Sequence, residues 1–277
     1  MDHKGYFLIV KIDRLEFTRY HYGQEHPKPF LYPVLCETGQ SVVTHAPSDH
    51  YHHHGIWIAH GDVNGHNLWT STHGGEGRMR HREFLTAEAG ETATIRAITD
   101  WLDPAGCKLC EDERMLIFLL DTDGSRIIDI ACVVKATEGD VVLGRTKEAG
   151  IPHVRVSDRI DVNHGGRIEN SEGQVNEEAT FGQRARWVDY SGPVSKNDWA
   201  GVAFFDHPSN PEYPAPWFTR NYGPFSPNFI FFTGAYTITH GSSLALRHRV
   251  VVHQGDAKTA DVEGKYARYL SSFPAGS

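Results

Sequence analysis

Residues 125–137 read Ser125-Arg126-Ile127-Ile128-Asp129-Ile130-Ala131-Cys132-Val133-Val134-Lys135-Ala136-Thr137. Ile128, Ile130, Cys132, Val134 and Ala136 alternate with Ile127, Asp129, Ala131, Val133 and Lys135, so one face is continuously apolar at the two-residue period of a strand. Asp121-Thr122-Asp123-Gly124, just before, is a tight-turn signal and makes residues 109–137 a hairpin. Further short strand-like runs at 141–146, 151–162, 199–206, 228–239 and 243–253 are separated by turn residues. Helix signals are scarce. The best lies near the C-terminus, where Val262, Tyr266, Tyr269 and Leu270 follow the i, i+4, i+7, i+8 spacing. The pattern predicts an all-β fold, a large antiparallel β-sandwich with few short helices, one of them near the C-terminus. No repeat, low-complexity tract or composition shift marks a linker, so residues 1–277 are expected to form a single β-sandwich domain.

Composition narrows the function classes. Hydrophobic residues at 39% and charged residues at 22% are ordinary for a globular chain with a real core. A net charge of −8 opposes nucleic-acid backbones and anionic membranes as partners. The longest apolar run is strand-sized, far below the ~20 residues a spanning helix needs. Met1-Asp2-His3-Lys4-Gly5 followed by Phe7-Leu8-Ile9-Val10 lacks a signal peptide's apolar region, and a cytoplasmic location is expected. Four cysteines make no disulfide framework. Cys107 and Cys110, three apart on a strand, point to opposite faces, which suits neither zinc nor a disulfide. No dinucleotide, P-loop or nucleophile-elbow motif occurs.

Histidine carries the functional signal. Nine of the 18 histidines fall between His45 and His81, four of them in Asp49-His50-Tyr51-His52-His53-His54. Histidine moves protons near neutral pH and is the commonest metal ligand. Read as an extended strand, 50–58 would place His50, His52 and His54 on one face and His53 with Trp57 on the other. The segment therefore supplies candidate acid–base groups (His50 and His53) and candidate ligands for a divalent metal (His52 and His54, with His207 and His253 from afar). Asp49 would orient a histidine. Gly61-Asp62-Val63-Asn64-Gly65 reads as a hairpin turn or, with Trp57 and Trp69, as a site mouth where Asn64 and Trp69 meet a sugar ring. Lys147, Glu148, His153 and Arg155 lie close together in sequence, where neighbours in a cleft would act as acid, base and electrophile. The stretch 206–223 is proline-rich and aromatic, and His207, Asn210, Trp217, Arg220 and Tyr222 are its candidate substrate contacts.

The stretches YPV (32–34), DHYHHHGIWIAHGDVNGHNLW (49–69), KEAGIPHVRV (147–156), WVDYSG (187–192), DHPSNPEYPAPWFTRNYGPF (206–225) and RHRVVVHQGD (247–256) resemble the bacterial PmoA-like family, a domain of unknown function. The resemblance implies a β-sandwich related in shape to aldose (galactose) mutarotases. It also implies a setting in carbohydrate catabolism, beside sugar-oxidising dehydrogenases. The expected function is an acid–base enzyme that cleaves a 3-keto sugar or glycoside, by β-elimination, with Lys147, Arg220 or a metal stabilising the enolate. The alternatives are a sugar mutarotase or epimerase, a non-catalytic carbohydrate-binding subunit and a cupin-like metal oxygenase. No cofactor is indicated beyond that metal. The expected partner is a small sugar, and a homo-oligomer is left open.

Overall fold

The alternation in 125–137 becomes strand register. The computed structural model describes residues 1–70, 74–90 and 92–271. Strands take 49% of the described residues and helix 9%, which makes the fold all-β. One antiparallel sheet holds, in spatial order, β1 (Asp2–His3), β2 (Phe7–Ile12), β3 (Leu15–His21), β4 (Phe30–Val34), β5 (Ile56–His60), β11 (Ala149–Arg155), β16 (Pro224–Pro227) and β15 (Trp217–Thr219). The other runs β12 (Arg167–Asn170), β13 (Trp187–Pro193), β14 (Trp199–Asp206), β18 (Ser243–Gln254), β9 (Arg126–Lys135), β8 (Lys108–Leu120), β7 (Ala93–Leu102) and β6 (Arg78–Glu88). A short pair, β10 (Val141–Leu143) and β17 (Tyr236–Ile238), stands apart, and a one-turn helix, α1 (Asn176–Thr180), follows β12 in the chain.

The predicted hairpin forms: β9 pairs with β8 across the 121–124 turn, and its other edge pairs with β18. Cys110 is buried and Cys107 exposed, both as free thiols. Three expected runs are corrected. The run at 141–146 stops at Leu143. The one at 151–162 starts at Ala149 and ends at Arg155, where Ile160 N–H closes a turn on the Ser157 carbonyl. Within 228–239 a helix intervenes. The Asn228 side chain accepts from Phe231 N–H and caps α2 (Phe229–Thr233), so only Tyr236–Ile238 is extended. A continuous apolar run such as Phe229-Ile230-Phe231-Phe232 has no period to separate helix from strand, and the cap decides.

The two large sheets pack face to face. Ile56, Val154, Trp217 and Phe225 of the first sheet share one core with Phe118, Ile128, Val202, Phe204 and Val250 of the second. Phe17 meets Phe118 edge-on, with ring centroids 6.3 Å apart. The C-terminal helix expected from its spacing forms as α3 (Val262–Ser271), and packs Val262, Tyr266 and Tyr269 over Phe205 and Val251 on the outer face of the second sheet. Among the described residues, no helix is long and apolar enough to cross a membrane. Side chains alternate across a strand, so with Ile56 and Val154 turned inward, Trp57 and His153 project from the outer face of the first sheet.

Candidate functional site

The chain before β5 does not extend as expected. His50 N–H bonds to the Pro47 carbonyl and His53 N–H to the His50 carbonyl, giving consecutive turns. The turns break the predicted one-face arrangement. His50 and His53 stack on each other, centroids 4.6 Å apart and 16° between planes. His54 turns away to His45, their Nδ1 atoms 3.0 Å apart beside Phe30.

On the other side of the site, β11 carries a register shift against β5 between Gly150 and His153. Such an irregularity re-aims a side chain, and here it sets His153 opposite Trp57, with centroids 4.7 Å apart. Gly61 N–H bonds to the Glu148 carbonyl at 2.7 Å, an approach with no room for a side chain at 61, and this fixes the strand end that carries Lys147 and Glu148. Asn67 Oδ1 accepts from Trp69 N–H and Thr70 N–H, which sets Trp69 over His153 at 5.0 Å.

The result is a cleft, partly open to solvent, between His50, His52, His53, Trp69, Lys147, Glu148, His153, Phe218, Tyr222 and Pro224. All four acid–base candidates face it: His50, His53, Lys147 and Glu148. Tyr222 stacks on His50 at 5.2 Å and lies 4.7 Å beneath the Arg155 guanidinium. Arg155 is buried. It donates through Nη2 to Asp49 Oδ2 at 3.1 Å and through Nη1 to His53 Nδ1 at 3.4 Å. The Asp49 carboxylate also lies 2.9 Å from His50 Nδ1.

Electrostatics follow from burial. Burial, reinforced by His153 and its histidine neighbours, pushes His53 far below the usual imidazole range. His153 falls to about 3 through burial, against a hydrogen bond to the Ala149 carbonyl that favours its charged form. His52 falls to about 4 through burial and the nearby Lys28. For Asp49, burial raises the carboxyl, and hydrogen bonds from His50 and Arg155 outweigh it and hold it below the usual range. Among the described residues several buried polar atoms at the cleft lack partners: Trp57 Nε1, Trp69 Nε1, His153 Nε2 and Arg155 Nε. Such atoms are rare in a folded interior and cluster where a ligand or water completes them.

Other sequence candidates lie elsewhere. Asn64 pairs with the backbone of Asp140 and Val142. Trp217 is fully buried in the inter-sheet core and donates to the Ala185 carbonyl, whereas the next residue, Phe218, reaches the cleft. One step along a strand reverses the face. Asn210 ties its loop to Asp206 and to the Arg247 backbone. His207 contacts Ser209 and Tyr269. Arg220 pairs with Glu177 at 3.2 Å and sits 5.8 Å from the Tyr222 ring, so it buttresses a cleft wall. The metal candidates do not converge. His52 is in the cleft, His54 is with His45, His207 is beside Tyr269 and His253 pairs with Asp189 at 2.7 Å. Among the described residues no three His, Cys, Asp or Glu side chains form a ligand set.

Two contributors had no clear sequence signal. Phe218 hid behind its more conspicuous neighbour. Lys28, between Pro27 and Pro29, is fully buried and donates to the Trp69 carbonyl, and burial lowers its amine to about 7 while Glu148 opposes that fall.

Compared with known families, residues 8–267 match a family of unknown function (DUF6807). No curated protein matches the chain.

Proposed function

The chain belongs to this family of unknown function, and we propose, from the chemistry of the cleft, an enzyme that cleaves an oxidised (3-keto) sugar glycoside by β-elimination. The observation that carries the reading is the pairing of two kinds of group in one cleft. Glu148, half-buried with no carboxylate hydrogen bond among the described residues, faces the His50–Asp49 pair across walls of Trp69, Tyr222 and Phe218. Flat aromatic walls take the C–H faces of a pyranose, and the polar groups take its hydroxyls.

A ketone at carbon 3 acidifies the proton on carbon 2. Glu148 removes that proton, and the electron pair moves into the enolate, whose negative oxygen Lys147 stabilises. The enolate collapses by expelling the oxygen at carbon 1, and His50, whose Nδ1 lies 2.9 Å from the Asp49 carboxylate, protonates the departing aglycone. One proton leaves carbon 2, one reaches the aglycone, and the sugar becomes an unsaturated ketone. No oxidant or reductant is consumed.

The test is aglycone release from p-nitrophenyl 3-keto-glucoside by the purified protein, with and without a chelator. Release is expected, and Glu148→Gln should lower kcat by about 10²–10⁴-fold, the usual contribution of a positioned base. A Glu148→Gln protein as fast as the parent would remove the base from its role. No release, with or without added divalent metal, would leave a binding subunit as the better reading.

A further inference from the structure

His53 and His153 face the same cleft, with ring centroids 6.1 Å apart, and their hydrogen bonds fix opposite tautomers. Arg155 Nη1 points at His53 Nδ1. A guanidinium only donates, so Nδ1 must accept, and the neutral ring carries its hydrogen on Nε2. His153 is the reverse. Its Nδ1 lies 3.0 Å from Ser226 Oγ. Ser226 Oγ donates its one hydrogen to the Ala149 carbonyl. A carbonyl only accepts, so that hydroxyl hydrogen is committed, Oγ accepts from His153 Nδ1–H, and Nε2 keeps a lone pair. His153 is 1% exposed, and that Nε2 has no partner among the described residues. Ser226 is fully buried and Arg155 nearly so, which locks both assignments in place.

We infer that these two rings form a donor–acceptor pair that recognises an α-hydroxy ketone. The ketone oxygen accepts from His53 Nε2–H, and the neighbouring hydroxyl donates to His153 Nε2. A plain diol can also accept and donate at this pair. Its accepting hydroxyl must then turn its own hydrogen aside beside these buried rings and find that hydrogen a partner, whereas a ketone has none to place. The pair thus selects the oxidised sugar over its parent. It also makes His53 a neutral electrophile that polarises the carbonyl, leaving proton removal to Glu148. The choice of ligand rests on the keto-sugar reading above, and the tautomers do not.

Long-range ¹H–¹⁵N spectra of the full chain with ¹⁵N-labelled histidine near pH 7 read the tautomers directly. The expected result is a neutral Nε2–H form at His53 and a neutral Nδ1–H form at His153. Binding of methyl 3-keto-glucoside and of methyl glucoside is then measured in the Glu148→Gln protein, so that turnover does not consume the ketone. The ketone should bind about tenfold tighter or better. His153→Phe should erase that preference, and His153→Gln, whose amide oxygen can accept, should restore part of it. Reversed tautomers, a charged ring, or equal binding of both sugars would overturn the inference. Correct tautomers and ketone preference without elimination would overturn the reaction and leave the recognition standing.

Discussion

Arg155 joins the two sides of the cleft, through Asp49 to His50 and through His53 to the substrate face. Replacing it with methionine removes one of the two hydrogen bonds that hold the Asp49 carboxyl down, while burial still pushes it up. Asp49 then needs a higher pH to ionise. In Arg155→Met the acid limb of the pH–kcat/KM profile should therefore move to higher pH, and the optimum rate should fall about 10–100-fold. An unmoved limb would show that Asp49 does not act through His50. Lys28 gives a second test, of stability. Its amine titrates near 7 when folded and at 10.5 in the unfolded chain, so between those values the unfolded state binds more protons. The penalty for burying it is complete below pH ~7 and is relieved as the pH rises through that window. Lys28→Met should raise the Tm more near pH 6 than near pH 10. An equal effect at both would mean that the amine is not shifted.

Gly201 shows what one strand position does for a whole element. It lies on β14 between β13 and β18, and the His253 ring passes over it to reach Asp189 on β13, both partners almost wholly buried. A methyl group at 201 would collide with His253 Cε1 and press on the Ser191 Cβ. Gly201→Ala should cost about 2–4 kcal/mol in chemical denaturation. His253→Ala should cancel much of that cost in the double variant, because the clash is with the ring. Additive losses would place the strain elsewhere. At this same scale much of the fold was legible. The strict alternation of 125–137 and 243–253 marked β9 and β18, and Trp199–Asp206 appeared with the expected ends. Other elements were hidden for physical reasons. β6 mixes exposed and buried side chains without a clean period, and α2 depends on one capping asparagine in an unpatterned apolar run. In the histidine segment the backbone turns at Pro47 and His50, and no period-two reading could foresee that.

Across the whole molecule, burial keeps seven of the described histidines neutral near pH 7. Burial lowers His45, His52 and His60 to about 4, His153 and His248 to about 3, and His53 and His54 far below the usual range. Each has a folded value below its unfolded value near 6.5, so between the two the unfolded chain binds the extra proton. Stability should therefore be intact above pH ~6.5 and fall steeply as the pH drops toward 4. His253, raised by Asp189 against burial, and the exposed His164, raised by Asp161, work in the opposite direction. Acid unfolding followed near pH 5 should show an uptake of roughly six protons from these seven histidines, and an uptake near one would contradict the buried neutral state. The site itself was legible only as a list. The sequence brought forward His50, His53, Lys147, Glu148, Asp49, Trp69, Arg155 and Tyr222, which gather at one cleft or directly behind it. It could not tell Trp217 from Phe218, because one residue of register exchanges core for cleft. Elimination at that cleft begins with proton removal from carbon 2. Proton NMR of methyl 3-keto-glucoside with the full chain in D₂O follows this step directly. Loss of the carbon-2 proton signal together with appearance of methanol, both abolished in Glu148→Gln, is the predicted result. A carbon-2 signal that persists at its control rate would contradict it.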